Sequence, residues 1–116
     1  LAVTLTLWHN PRCSKSREAL ALLEDRGLAP TIRRYLDDPP TEAEIRAALA
    51  ALNLPAIGLV RTKEALFAEL GLTRDAAEDR LIDAMAAHPK LIERPVLFNG
   101  PRAAIGRPPE AVTAIL

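Results

Sequence analysis

The sequence holds one cysteine, Cys13, and two histidines, His9 and His88. One thiol cannot close an internal disulfide, and two isolated histidines with one cysteine make no plausible metal set. Lysines and arginines number 15 and so do aspartates and glutamates, leaving a formal charge of zero. That balance gives no footprint for nucleic acid or another polyanion. There is no secretory signal pattern and no apolar run long enough to span a membrane, which makes the cytosol the default compartment. Internal repeats, linkers and low-complexity stretches are also absent. With 116 residues, the expectation is a single domain of ordinary size with one real core.

What is present centres on His9-Asn10-Pro11-Arg12-Cys13-Ser14-Lys15-Ser16-Arg17. Val3, Leu5 and Leu7 alternate with Thr4, Thr6 and Trp8, so the run from Ala2 to Trp8 is predicted as a strand with one buried face. From Ser14 onward the apolar positions Ala19, Leu20, Leu22 and Leu23 recur at helical spacing, and a helix is predicted to about Arg26, stopped by Gly27. Cys13 therefore falls at a helix N-terminus. Unpaired N–H groups and the positive dipole end there favour thiolate, the attacking form of cysteine, and His9, Arg12 and Arg17 are at hand to add positive charge. The competing reading is a buried cysteine that packs as a small hydrophobe.

Pro30 to Leu36 reads as a second strand, closed by Asp37-Asp38-Pro39-Pro40. Strand, helix, strand at this spacing implies a right-handed parallel unit. Thr41-Glu42-Ala43-Glu44 matches a capping box ahead of a stripe of Ile45, Ala48, Leu49 and Leu52. Lys63 to Leu70 is predicted as a short helix and Asp75 to His88 as a longer one, with Leu81, Met85 and His88 on one face and His88 itself a capping or packing residue. Val96-Leu97-Phe98 is predicted as a strand, Asn99-Gly100 as a two-residue hairpin turn, and Ala103 to Ile105 as the returning strand. Pro108 and Pro109 open a last helix carrying Val112, Ile115 and Leu116. The order fits an α/β fold with a mixed sheet, a helical insertion at about 41–90, a β-hairpin and a C-terminal helix: the thioredoxin-like arrangement.

Cys13 and Ser16 stand as C-x-x-S, the redox spacing with the second thiol replaced by a hydroxyl. Ser16 cannot resolve a mixed disulfide, so the reducing thiol must come from outside the chain. Two compatible roles stand for Ser16, a first-turn hydroxyl bonded to backbone or a contact to a bound anion. His9 reads either as a group that stabilises the thiolate and relays protons or as a strand-end histidine. Arg61, Arg94 and Arg107 lie at loop ends, Arg94 directly before Pro95. In thioredoxin-like folds the equivalent proline is commonly cis and faces the active cysteine. Three guanidiniums around a thiolate would suit a tetrahedral oxyanion, although any single arginine is more often a solvated surface charge.

These residues resemble the glutaredoxin-dependent arsenate reductases. The shared pattern H-N-P-x-C-S-x-S-R is His9 to Arg17. The likeness continues through Leu59-Val60-Arg61 with Lys63-Glu64, Asp79-Arg80-Leu81-Ile82-Asp83, Leu91-Ile92-Glu93-Arg94-Pro95-Val96 and Gly106-Arg107-Pro108. The resemblance covers nearly the whole chain. It implies a thioredoxin-like fold and reduction of arsenate to arsenite. Cys13 would be the nucleophile, His9 would lower its pKa, Ser16 would support the thiolate or oxyanion, and Arg61, Arg94 and Arg107 would cradle the anion. It further implies no bound cofactor, glutathione as co-substrate and glutaredoxin as the protein that reduces the intermediate. The rival readings are a glutathione-linked thiol transferase, a non-catalytic regulator of the related transcription-factor branch, and a low-molecular-weight phosphatase. Ser16 in place of a second cysteine counts against the regulator, and the short helical spacing from Cys13 to Arg17 against the phosphatase.

Overall fold

A computed structural model describes residues 4–116, so the predicted strand positions Ala2 and Val3 lie outside the described residues. The chain divides into two compact units, one made of residues up to Asp38 together with Arg94–Leu116, the other of Pro39–Glu93.

The first unit carries a four-stranded mixed sheet. Strands β1 (Leu5–Trp8), β2 (Thr31–Arg33), β3 (Val96–Asn99) and β4 (Arg102–Ile105) lie in the order β2-β1-β3-β4. β1 runs parallel to β2 and antiparallel to β3, which pairs antiparallel with β4. Helix α1 (Ser14–Asp25) connects the parallel pair, the crossover that parallel strands require. Leu5 and Leu7, two apart in β1, send their side chains into one cluster with Ala19 and Leu23 of α1, Leu97 of β3, and Val112 and Ile115 of the C-terminal turns. Period two on the strand and helical spacing on α1 thus meet in a single apolar layer.

β2 is only three residues long, shorter than the predicted Pro30–Leu36. The chain leaves the sheet at Arg34, whose carbonyl accepts the N–H groups of Asp37 and Asp38, and this turn buries Tyr35 while leaving Leu36 outside. The hairpin turn is also one residue later than predicted. Asn99 pairs with Arg102 across the ladder, so Gly100 and Pro101 form the two-residue loop. Gly100 takes φ 57° at its first position, as a loop of this kind requires, and proline supplies the negative φ that follows. Asn99 instead spends its side-chain amide on the Ile115 carbonyl. The last helix is a 3₁₀ segment, Pro109–Ile115.

The second unit is helical: α2 (Glu42–Leu52), α3 (Ala65–Glu69) and α4 (Glu78–Ala87), with short 3₁₀ turns at Ala56–Gly58 and Pro89–Leu91. The capping box forms as the sequence specifies, with Thr41 Oγ1 accepting from Glu44 N–H at 3.1 Å and Glu44 Oε1 accepting from Thr41 N–H at 3.0 Å. α2 packs on α4, and the stripe of Ile45, Ala48 and Leu49 is buried, as are Leu81 and Met85. α4 starts at Glu78, three residues after the predicted Asp75. Residues 74–76 form a turn instead, and the Glu78 carboxylate accepts the N–H of Ala56.

Leu97 is fully enclosed in the sheet unit's core. Leu97→Ala is expected to lower unfolding free energy by roughly 2–5 kcal/mol, read from urea denaturation followed by far-UV circular dichroism.

Candidate active site

Cys13 is the N-cap of α1, with φ −93° and ψ 123° in the extended region. The loop before it is shaped by Asn10, whose side-chain carbonyl accepts from Arg12 N–H at 3.0 Å and whose backbone carbonyl accepts from Cys13 N–H at 3.0 Å. Asparagine and proline act here as turn formers, as the sequence indicated. The sulfur is half-buried, at the point where the first helical N–H groups lack intrahelical partners.

Burial pushes the Cys13 thiol up. It is outweighed by the Ser16 N–H, the charge of Arg94, the Lys15 N–H and the Arg107 guanidinium, so the net displacement is below the ordinary thiol value. Arg107 Nη1 lies 3.9 Å from Sγ and also donates to the Arg94 carbonyl at 3.3 Å. Arg94 and Arg107 arrive from the two ends of the β3–β4 hairpin, Arg94 before β3 and Arg107 after β4. Both are followed by cis prolines, Arg94-Pro95 and Arg107-Pro108. Gly106 N–H donates to the Pro95 carbonyl at 2.8 Å, and a Cβ on Gly106 would lie 2.7 Å from Pro95 Cγ. That close approach is why glycine precedes Arg107, and it holds the two arginine-bearing segments together.

His9 and Ser16 are buried, at 6% and 0% exposure. His9 Nδ1 is 2.6 Å from Ser16 Oγ, which also accepts from Asn10 N–H at 3.0 Å. With Oγ already accepting, its proton is free to be donated to an unprotonated Nδ1. The histidine is suited to that role, because burial first, then the charges of Arg34 and Arg17, push its pKa below the ordinary value. This differs from the expectation that a protonated His9 supplies charge to the sulfur. The positive groups at Cys13 are Arg94 and Arg107, while Arg17 turns back to donate to the Pro11 carbonyl at 3.0 Å. Ser16 reaches the sulfur through its backbone N–H, and its hydroxyl braces the loop. No residue-type pattern exposes that division of labour, though helix N-terminal geometry predicts the backbone part.

Arg61 belongs to the helical unit. Its Nη1 donates to the Lys90 carbonyl at 3.2 Å, and its guanidinium lies 3.6 Å from Glu64, which is also 3.8 Å from Lys90 Nζ. An antiparallel bridge between Val60 and Ile92 fixes its backbone, with Arg61 N–H donating to the Leu91 carbonyl at 2.7 Å. Among the described residues no group of three or more histidine, cysteine or acidic side chains is placed to hold a metal, and no helix is long and apolar enough to cross a membrane.

A sulfur at a helix start, two N–H donors and two arginines from a hairpin are thus the elements of the site. The family model that matches this chain is the ArsC family, over residues 8–115. The chain belongs to the ArsC family. It is 46% identical over 114 residues to an arsenate reductase of Neisseria meningitidis serogroup B, covering 97% of each chain, and 41% identical to an arsenate reductase of Haemophilus influenzae, covering 98% of this chain and all of that one. Its fold matches the solved arsenate reductase of Vibrio cholerae with a TM-score of 0.96 at 45% identity, over the full length of both. The ArsC assignment carries with it the thioredoxin-like class predicted from the element order.

Ser16→Ala is expected to leave His9 Nδ1 and the Asn10 N–H without their partner and to cost about 1–3 kcal/mol, measured by urea denaturation. The lowered His9 pKa has a further consequence. The folded chain binds fewer protons at this site than the unfolded chain, so the contribution present above the ordinary histidine value is lost as pH falls through the lowered one. Replacing His9 with glutamine is expected to flatten that acidic part of the stability profile, measured by denaturation at a series of pH values.

Proposed function

We propose that this protein is a cytoplasmic arsenate reductase that uses Cys13 as nucleophile and draws its electrons from glutathione and glutaredoxin. The observation that carries this reading is the half-buried Cys13 sulfur with the Ser16 and Lys15 N–H groups and the Arg94 and Arg107 guanidiniums arranged to favour its thiolate. Membership of a family whose named relatives include arsenate reductases supports the choice of substrate.

The attacking group and the substrate are both anions, so their repulsion must be offset. Arg94 and Arg107 supply that offset and can hold oxyanion oxygens through parallel N–H donors. The thiolate attacks arsenic of dihydrogen arsenate, an As–S bond forms, and one oxygen leaves as water with a proton taken from solvent. Glutathione then displaces a second oxygen as water. A glutaredoxin thiolate attacks the glutathione sulfur, forming a mixed disulfide and leaving the electron pair on arsenic, which becomes As(III). Hydrolysis of the remaining As–S bond releases arsenite and regenerates Cys13. Both electrons come from external thiols, as a chain with one cysteine requires. Phosphate matches arsenate in charge and shape but is not reduced by thiols, so it should bind reversibly and compete.

His9 and Ser16 serve this scheme by bracing the loop, with the Ser16 N–H acting on the sulfur. Arg61 is proposed for arsenate on its place in the Leu59-Val60-Arg61 pattern alone.

The test is arsenate-dependent NADPH oxidation coupled through glutathione reductase, glutathione and glutaredoxin. Cys13→Ser should abolish it, and Arg107→Gln should lower turnover roughly 100-fold. Arg61→Ala should lose arsenate turnover while retaining disulfide exchange; retention of both would remove Arg61 from the arsenate site, and a parent chain with disulfide exchange but no arsenate turnover would favour a thiol transferase. Activity surviving in Cys13→Ser would reject the nucleophile.

A further inference from the structure

Beside the cysteine loop, and wholly within the sheet unit, lies a cleft of about 270 Å³ whose lining does not include Cys13. One wall is Asn10, Pro11 and Arg12, the residues immediately before the sulfur, and the other is Arg34, Leu36 and Asp37 from the turn after β2. The lining is neither an apolar core defect nor a plain charged surface. Pro11 and Leu36 give it an apolar stretch, with Leu36 40% exposed. Arg12 and Arg34 give it two cationic groups and Asp37 one anionic group. Arg34 and Asp37 stand 4.0 Å apart and both are mostly exposed, at the limit of ion pairing, so a ligand carrying both charges displaces little by inserting between them.

We propose that this cleft seats the external thiol as a small zwitterionic peptide, its carboxylates on Arg12 and Arg34 and its ammonium on Asp37. Two cations and one anion complement a γ-glutamyl thiol tripeptide, which carries two carboxylates and one ammonium. The apolar stretch suits the peptide's methylene chain. Position supports this as strongly as charge. The cleft is lined by Asn10, Pro11 and Arg12, the residues immediately before Cys13, and Cys13 N–H donates to the Asn10 carbonyl at 3.0 Å, so a peptide held there lies next to the loop that carries the sulfur. The assignment rests on the reading that an external thiol resolves the Cys13 intermediate. It adds where that thiol binds and by which groups.

The experiment uses S-methylglutathione, whose blocked sulfur cannot react, titrated into the full chain and followed by amide NMR and calorimetry. Amide shifts should concentrate in residues 9–13 and 34–38. The diester of the same ligand, with both carboxylates neutralised, should bind at least tenfold more weakly. In the double variant Arg12→Gln/Arg34→Gln that esterification penalty should shrink below twofold, a readout that mere loss of folding would not mimic. Asp37→Asn should weaken S-methylglutathione and leave its N-acetyl form unaffected. Shifts confined to other surfaces, no binding at millimolar ligand, or an esterification penalty unchanged in the double variant would each overturn the proposal. The two readings fail separately. A chain that reduces arsenate, with the same KM for glutathione in the double variant as in the parent, refutes the cleft but keeps the enzyme. A chain that binds S-methylglutathione in the cleft but never reduces arsenate keeps the cleft and refutes the enzyme.

Discussion

The structure of the site depends on one interaction, the hold that the start of α1 and the Arg107 guanidinium exert on a single sulfur. A cysteine in this half-buried position would by burial alone remain a thiol. Two backbone N–H groups and two arginines outweigh burial and bring the pKa below the ordinary thiol value. The N–H donors need no special side chains, since any helix start provides them, but they act on Cys13 only because the Asn10 turn delivers it as the N-cap. The arginines are the costlier part of the arrangement. They are separated from Cys13 by about eighty residues or more of sequence, and only pairing of β3 between β1 and β4 brings them to the same end of the sheet.

The hairpin is therefore more than scaffold. Arg94 enters it and Arg107 leaves it, and the close approach of Gly106 to Pro95 sets the distance between their backbones. Arg107 completes the link by donating to the Arg94 carbonyl as well as to the sulfur. Within the loop, a buried histidine and a serine hydroxyl hold the chain that presents the cysteine. The arginines bring charge, and this pair braces the loop. The same loop also forms a wall of the cleft that carries Arg34 and Asp37.

Much of this was legible in the residues. Alternation in Leu5 and Leu7, the helical stripe Ala19-Leu20-Leu22-Leu23 and the capping box at Thr41 are local signals, and the structure bears each of them out. The placement of Cys13 at a helix start followed from the same evidence. What the sequence could not give was long-range or shared between competing demands. Asn99-Gly100 looks like the turn, yet the ladder keeps Asn99 and moves the turn to Gly100-Pro101, because the Asn99 amide is wanted by the Ile115 carbonyl. The second strand stops early because Tyr35 is drawn into the interior. His9 four residues before Cys13 reads as a cation, and only its burial and the nearby Arg34 and Arg17 show its pKa pushed down, towards the unprotonated ring. Family resemblance pointed to Arg61, Arg94 and Arg107 as an anion cradle, while the action of Arg94 and Arg107 on the sulfur and the role of Ser16 as a backbone donor required coordinates.

The central claim is that folding favours the ionised form of this sulfur, and the most direct measurement is its own titration. Thiolate absorbance at 240 nm, followed against pH in the native chain with Cys13→Ser as the blank, should show a midpoint clearly below that of a free cysteine. The midpoint should move upward when Arg107 is replaced by glutamine. A midpoint at or above the free-cysteine value, unmoved by loss of the guanidinium, would contradict the account.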